Sequence, residues 1–237
     1  MTGLGTIINI LCIVGGGLAG HFAGSRLKPS MQETVLTMTG IGVMVMGIGG
    51  ALEKMLVFAD GKLSSANTMM MIVSLALGSA IGEALQIEEK IVQFGEWLKT
   101  KSNSSGDTSF VNGFVTASCT VCIGAMAVIG AIQDGTSGNY STLLAKGLID
   151  AIIICIMTVS LGKGCIFSAI PVGIVQGVIT AVAFFTGNFM PQKALDNLSF
   201  VGSVLIFCVG LNLVRKKQIR VANTLPAIVV ASIWGLF

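Results

Sequence analysis

The chain has 237 residues, 53% of them apolar and only 11% charged, where charge in soluble domains runs at roughly a quarter. A mean hydropathy of +0.88 with a net charge of +3 excludes a disordered chain, a disulfide-framed mini-protein and a nucleic-acid binder. At about 20 residues per span, this length holds about eight membrane helices with short loops and leaves no room for an extramembrane catalytic domain.

Apolar runs follow one another at 3–25, 31–52, 67–87, 110–132, 143–161, 164–187, 198–214 and 223–237. Each reads as a transmembrane helix, because in lipid only a helix satisfies every backbone group within one segment. A β-barrel would show alternating strands of about ten residues instead. The expected fold class is an all-α membrane protein of about eight transmembrane helices, a single polytopic domain over residues 1–237. The last run is the shortest, at fifteen residues, and either spans or is half-inserted.

In the first two runs Gly15, Gly16, Gly17, Gly20 and Gly24, then Gly40, Gly42, Gly47, Gly49 and Gly50, offer small faces for close packing within the chain or along a homodimer or higher homo-oligomer seam. The connections after runs one, three, five and seven carry Arg26, Lys28, Lys90, Lys99, Lys101, Lys163, Arg215, Lys216, Lys217 and Arg220, ten cations against Lys54, Lys62, Lys146 and Lys193 on the other side. That bias places the first set in the cytoplasm and both termini outside it. No basic residue precedes the first run, which argues against a cleaved signal peptide. The 215–220 cluster reads first as a topology signal and second as a contact for anionic lipid. Between runs three and four, Ile87, Ile91, Phe94 and Leu98 recur at helical spacing beside Trp97, predicting an amphipathic surface helix over 87–101.

Internal similarity points to a repeat. Ala66-Asn-Thr68 opens the third run as Ala222-Asn-Thr224 opens the eighth, and a shift of 162 positions pairs Gly15 with Gly177, Pro29 with Pro191 and Gly40 with Gly202. Glycine-rich apolar sequence also matches itself by chance. Taken as real, the match relates helices 1–3 (residues 1–87) to helices 6–8 (residues 164–237). The offset of five spans makes it an inverted repeat, the arrangement secondary transporters use.

Asp150 is the ionisable group placed deepest in a span, where an unpaired charge costs several kcal/mol. Lys146 lies one turn earlier on the same face, so the pair reads either as structural neutralisation or as an ion or substrate site. Ser118 and Thr120 in the fourth run, and Ser168 and Gln176 in the sixth, complete the candidate substrate- or ion-binding set. Asn9 and Gln176 need partners in hydrocarbon and read as interhelical glue. Glu83 is near enough to the end of its run to reach the interface. His21 stands alone, and Cys119 with Cys122 lacks a second pair, so no metal centre is expected. Gln133-Asp-Gly135 reads as a polar turn. Gly162, Gly164 and Pro171 form a candidate structural hinge, because the proline interrupts its helix and frees a carbonyl. That is either a plain kink or a break that coordinates ions.

Several segments now fall into one pattern: Phe110-Val-x-Gly-Phe-Val-Thr-Ala-Ser118, Gly124-Ala-Met-Ala-Val-Ile-Gly130, Gln133-Asp-Gly135, Lys146-x-x-x-Asp150, Phe167-Ser-Ala-Ile-Pro171, Gln176-Gly177, Gly210-Leu-Asn-Leu213 and Ile219-Arg-Val-Ala-Asn-x-Leu-Pro226. In this order they resemble the YdfK/YqgA-like bacterial inner-membrane proteins, a domain-of-unknown-function family, over essentially the whole chain. One departure is Val121-Cys122, where family members often read Phe-Cys. The resemblance implies a bacterial inner-membrane address and marks Lys146, Asp150, Ser168, Pro171 and Gln176 as a matching constellation, without implying a reaction.

Together these readings predict a secondary transporter or ion-coupled carrier of a small solute, with Asp150 binding the coupling Na+ or H+, Lys146 balancing it, and no cofactor. A passive channel between protomers and a membrane scaffold or signalling protein are the alternatives. An enzyme is not expected, since neither His-Glu-x-x-His nor Gly-x-Ser-x-Gly occurs. The expected partners are the lipid bilayer and a small solute or ion, not nucleic acid.

Overall fold

The computed structural model describes residues 2–24, 28–59, 61–104, 106–122, 125–186, 190–215 and 219–236. Its elements in chain order are α1 (Leu4–Gly24), α2 (Pro29–Met55), β1 (Leu56–Ala59), β2 (Lys62–Ser65), α3 (Thr68–Leu85), α4 (Ile87–Lys101), α5 (Phe110–Cys122), α6 (Ala125–Ser137), α7 (Ser141–Leu161), α8 (Ala169–Thr186), α9 (Gln192–Val214) and α10 (Pro226–Trp234). Two 3-10 turns, Lys163–Ser168 and Val221–Thr224, lead into α8 and α10.

Among the described residues, six helical segments are long and apolar enough to cross a bilayer, or seven if α5 and α6 are counted as one bent span. The all-α membrane class holds; the fourth apolar run differs from expectation, and the eighth takes the shorter of the two forms expected of it. The fourth run is broken by a 62° bend between α5 and α6, and Gly124 lies outside the described residues. The eighth forms the second 3-10 turn and the nine-residue α10. Val221–Trp234 together rises about 21 Å, short of the roughly 30 Å hydrocarbon core. Pro226 favours this short form: at the first position of a helix its missing N–H would be unpaired anyway, whereas further in it would break the ladder. Large apolar side chains such as Leu11, Phe22, Ile152 and Phe185 point outward, as they do where lipid is the solvent. An antiparallel hairpin, not anticipated from the apolar runs, pairs Leu56 with Ser65 and Ala59 with Lys62. Gly61 closes it at φ +72°, and Asp60-Gly61 is the sequence signal for such a turn.

The described chain forms two compact units, each drawing on both halves of the sequence. The first comprises Met1–Thr39, Lys90–Cys122 and Met126–Phe189. Here α1 lies along α7, at a closeness that only glycine permits: a Cβ on Gly16 or Gly20 would fall on the backbone of Ala151 or Cys155. The turn Lys163–Ser168 seats against α5, with Gly164 on the Phe110 backbone. The predicted surface helix forms as α4, yet its apolar face is not left for lipid. Leu98 is buried with Phe110 and Phe114, and Ile91 packs against them, while Trp97 stays exposed.

The second unit comprises Gly40–Glu89, Ile123–Ala125 and Met190–Phe237. There α3 meets α10 and the turn before it through Gly78 and Gly82, whose Cβ positions would strike Ala227 and the backbone of Asn223. Met70, Phe200, Val201, Ala227 and Ala231 form its core.

Candidate functional site

The site grows from α7. Lys146 and Asp150 are the sixth and tenth of its 21 residues, so the i,i+4 spacing stacks them on one face near mid-length. Both are buried, at 6% and 4% exposure. Lys146 Nζ donates to Asp150 Oδ2 and, at 2.8 Å, to the Val121 carbonyl. That carbonyl is available because α5 ends at Cys122, leaving Val121 without an in-helix donor. From α1, Asn9 lies beside the Asp150 carboxylate and donates through Nδ2 to Gln176 Oε1 of α8 at 3.3 Å. One polar network of bonds and close approaches therefore spans four helices of the first unit, with the two buried charges neutralising each other.

Several polar atoms around it are buried without a partner among the described residues: Asn9 Oδ1, Gln176 Nε2 and the hydroxyls of Thr6, Ser118 and Thr180. The other two predicted ligands differ, because Thr120 donates to the Thr116 carbonyl and Ser168 to the Cys165 carbonyl, each at 2.7 Å. Of the six predicted residues, Lys146, Asp150 and Gln176 share the network, Ser118 is buried with its hydroxyl open, and Thr120 and Ser168 bond their own backbone. The hinge expectation needs correction at Pro171, which sits in the first turn of α8 and so does not interrupt it. The discontinuity lies earlier, at Gly162 (φ +82°) and the 3-10 turn that contains Gly164.

Asp134 is a residue the sequence reading placed in a turn. It lies within α6, fully buried, and accepts the backbone N–H groups of Gly3 and Gly5 at 3.2 and 3.1 Å, anchoring the start of α1. The chain turns later, at Gly138 (φ +67°). Close by, an open groove of about 360 Å³ is lined by Gly3, Thr6, Gly177, Thr180 and the outward-facing Phe184 and Phe185 among others.

The second unit holds a different ionic group. Arg220 Nη1 donates to Glu83 Oε1 at 2.7 Å and to Glu89 Oε1 at 3.1 Å. Asn223 donates to Glu83 Oε2 at 2.6 Å and accepts the Glu88 N–H at 2.7 Å. Burial pushes the Glu88 carboxyl above the usual glutamate range, partly offset by the backbone N–H of Ala222 and the charge of Arg220. Arg220, read first as part of a topology signal and second as a contact for anionic lipid, is held by carboxylates. Arg26, Lys216 and Lys217 lie outside the described residues. Among the described residues no group of three or more His, Cys, Asp or Glu side chains is placed to hold a metal ion.

Apolar spans with an outward-facing apolar surface and buried, paired charges define a multi-pass helical membrane protein. Residues 4–236 match the family described as "Protein of unknown function (DUF554)", and the chain belongs to it. It is 25% identical over 226 residues to "Uncharacterized membrane protein YdfK" of Bacillus subtilis (strain 168), covering 95% of this chain and 93% of that protein. It is also 25% identical over 232 residues to "Uncharacterized protein YqgA" of Escherichia coli (strain K12), covering 96% and 94%. The resemblance drawn from motifs therefore holds along the whole chain. No solved structure gives a significant match.

Proposed function

We propose that the protein is a secondary transporter, an ion-coupled carrier of a small solute across the bacterial inner membrane, with both termini on the extracytoplasmic side. The observation that carries this reading is the buried Lys146–Asp150 pair near mid-length of α7. A protein that only needed α7 in place would gain nothing from it, since well-packed apolar residues of similar volume do as well or better. Because the pair is bonded to α5 and lies beside Asn9 of α1, which is itself bonded to α8, a change of charge at Asp150 alters several helix contacts at once. That is the coupling a carrier requires between ion binding and rearrangement. Asn9 Oδ1, Gln176 Nε2 and the Ser118 hydroxyl supply neutral ligands. The inverted relation of 1–87 to 164–237 provides the exchange of conformations, and no cofactor or covalent step is involved. Copies of the chain can pair along α2, where Gly42 and Gly49 have nothing within 4 Å among the described residues.

The test is a thermal-shift screen of the purified protein against cations and small metabolites. A transported solute should stabilise the folded protein, by about 2.7 kcal/mol at a hundredfold its Kd, and leave Asp150→Asn unmoved. Flux of that solute into proteoliposomes should saturate, which separates a carrier from a channel, and should be lost in the same variant. Unchanged uptake by Asp150→Asn removes the residue from the mechanism.

A further inference from the structure

Resting on the carrier reading, we propose that the coupling ion is the proton, and that it reaches Asp150 along a hydrated ladder of polar side chains that opens at the groove beside the start of α1. The first rung is Thr6 of α1 with Thr180 of α8. Both line the roughly 360 Å³ groove, both are buried (6% and 4% exposed), and both hydroxyls are without a partner among the described residues. The next rung lies about one turn deeper, at i+3 on α1 and i−4 on α8: Asn9 and Gln176, bonded to each other at 3.3 Å, with Asn9 Oδ1 and Gln176 Nε2 left open. Asn9 in turn lies beside Asp150, its Cα and Oδ1 near the Gly147 position of α7. Four unsatisfied buried polar atoms on one seam are costly unless water bridges them. Two hydroxyls, an amide oxygen and an amide nitrogen provide the mix of donors and acceptors that a chain of waters needs.

The charges choose the ion. Asp150 Oδ2 is already held by the Lys146 ammonium, so a metal cation, which needs several oxygen ligands at once, finds the carboxylate partly occupied. A proton needs only one lone pair. It adds to the Asp150 carboxylate to form an O–H bond, and neutral Asp150 releases Lys146, whose ammonium keeps the Val121 carbonyl. The site passes from neutral to singly positive and back. The other groups bearing on Asp150 are Cys122 of α5, the neutral Asn9 of α1 and, next to Gly147, the Cys12 thiol; α8 presents the Gln176 amide.

Infrared difference spectroscopy on the intact protein in liposomes, stepped from alkaline to acidic pH, tests this. The C=O stretch of a protonated carboxyl should appear, vanish in Asp150→Asn and shift in Asp150→Glu, a variant that keeps the charge. Its pH midpoint should be the same in sodium chloride and choline chloride. In D2O the band should exchange about tenfold more slowly in Thr6→Val with Thr180→Val, which preserves side-chain shape. A midpoint that moves with sodium makes sodium the coupling ion and overturns the proposal while the carrier reading stands. Absence of an Asp150 band, or unchanged exchange in the valine variant, also overturns it. An intact, sodium-independent band with no solute flux supports the proton path and defeats the carrier reading instead.

Discussion

Each unit closes on two glycines four residues apart, Gly16 and Gly20 on α1 and Gly78 and Gly82 on α3, but their partners differ. Helix α1 meets α7, an unbroken helix of 21 residues, whereas α3 meets a 3-10 turn and the start of the nine-residue α10. The ionic groups differ accordingly. In the first unit the Lys146 and Asp150 side chains are 7% and 6% exposed; in the second, Arg220 and Glu83 are 55% and 59% exposed. A continuous helix holds its charges far from either end, so they must match one for one. A helix end presents them at a rim, where three glutamates can gather around one arginine because solvent screens the excess. The same small-residue seam therefore serves two electrostatic regimes.

The largest expected effect breaks the first regime. Lys146→Met leaves the Asp150 carboxylate buried without its cation and should cost about 3–5 kcal/mol of stability, read as a loss of melting temperature in detergent. Adding Asp150→Leu should restore most of that loss while removing the carboxylate that the proposed carrier function needs, since an apolar pair packs without the electrostatic demand. A single variant as stable as wild type would mean that the pair is solvated.

Next come the seams. Gly16→Val and Gly78→Val put new atoms onto the facing helix backbone, and each should destabilise by about 1–3 kcal/mol through overpacking. Gly42→Ala and Gly49→Ala, where an added Cβ meets nothing within 4 Å among the described residues of one chain, should instead be neutral or stabilising for the single chain by up to about 1 kcal/mol, because alanine is the better helix former. Equal losses at all four positions would contradict the packing described.

How much of this could be read in the residues follows from range. Six spans were legible because lipid demands some twenty apolar residues with internal backbone bonding, and Lys146–Asp150 was legible because an i,i+4 pair is local. The bend in 110–132 was not, because an apolar run records composition and not helix continuity, whereas the shortness of the last element was half-legible in a run of only fifteen residues. Asp134 was misread as part of a turn because its partners, Gly3 and Gly5, stand 131 and 129 residues away. Asn9 carried a signal, a lone amide in hydrocarbon, but nothing local said that it would reach Asp150 as well as Gln176. Thr120 and Ser168 looked like available ligands because a sequence does not show which hydroxyls already bond their own backbone.

The second regime should yield smaller effects. Arg220→Ala removes two exposed ion pairs and should cost no more than about 1 kcal/mol, fading as salt is added, in contrast with the salt-insensitive loss at Lys146. Smallest of all is the pH dependence of Glu88. Because burial outweighs the nearby N–H and Arg220, its carboxyl binds a proton more tightly in the folded protein than in the unfolded chain. The resulting stabilisation is fully present below the ordinary glutamate range and is lost as pH rises through the raised folded value. The melting temperature of wild type relative to Glu88→Gln should therefore fall between acid and neutral pH, by a small amount because the group is only half-buried. A difference that rises with pH would mean that Arg220 and the helix start, not desolvation, govern this carboxylate, and the rim would then resemble the buried pair more than its exposure implies.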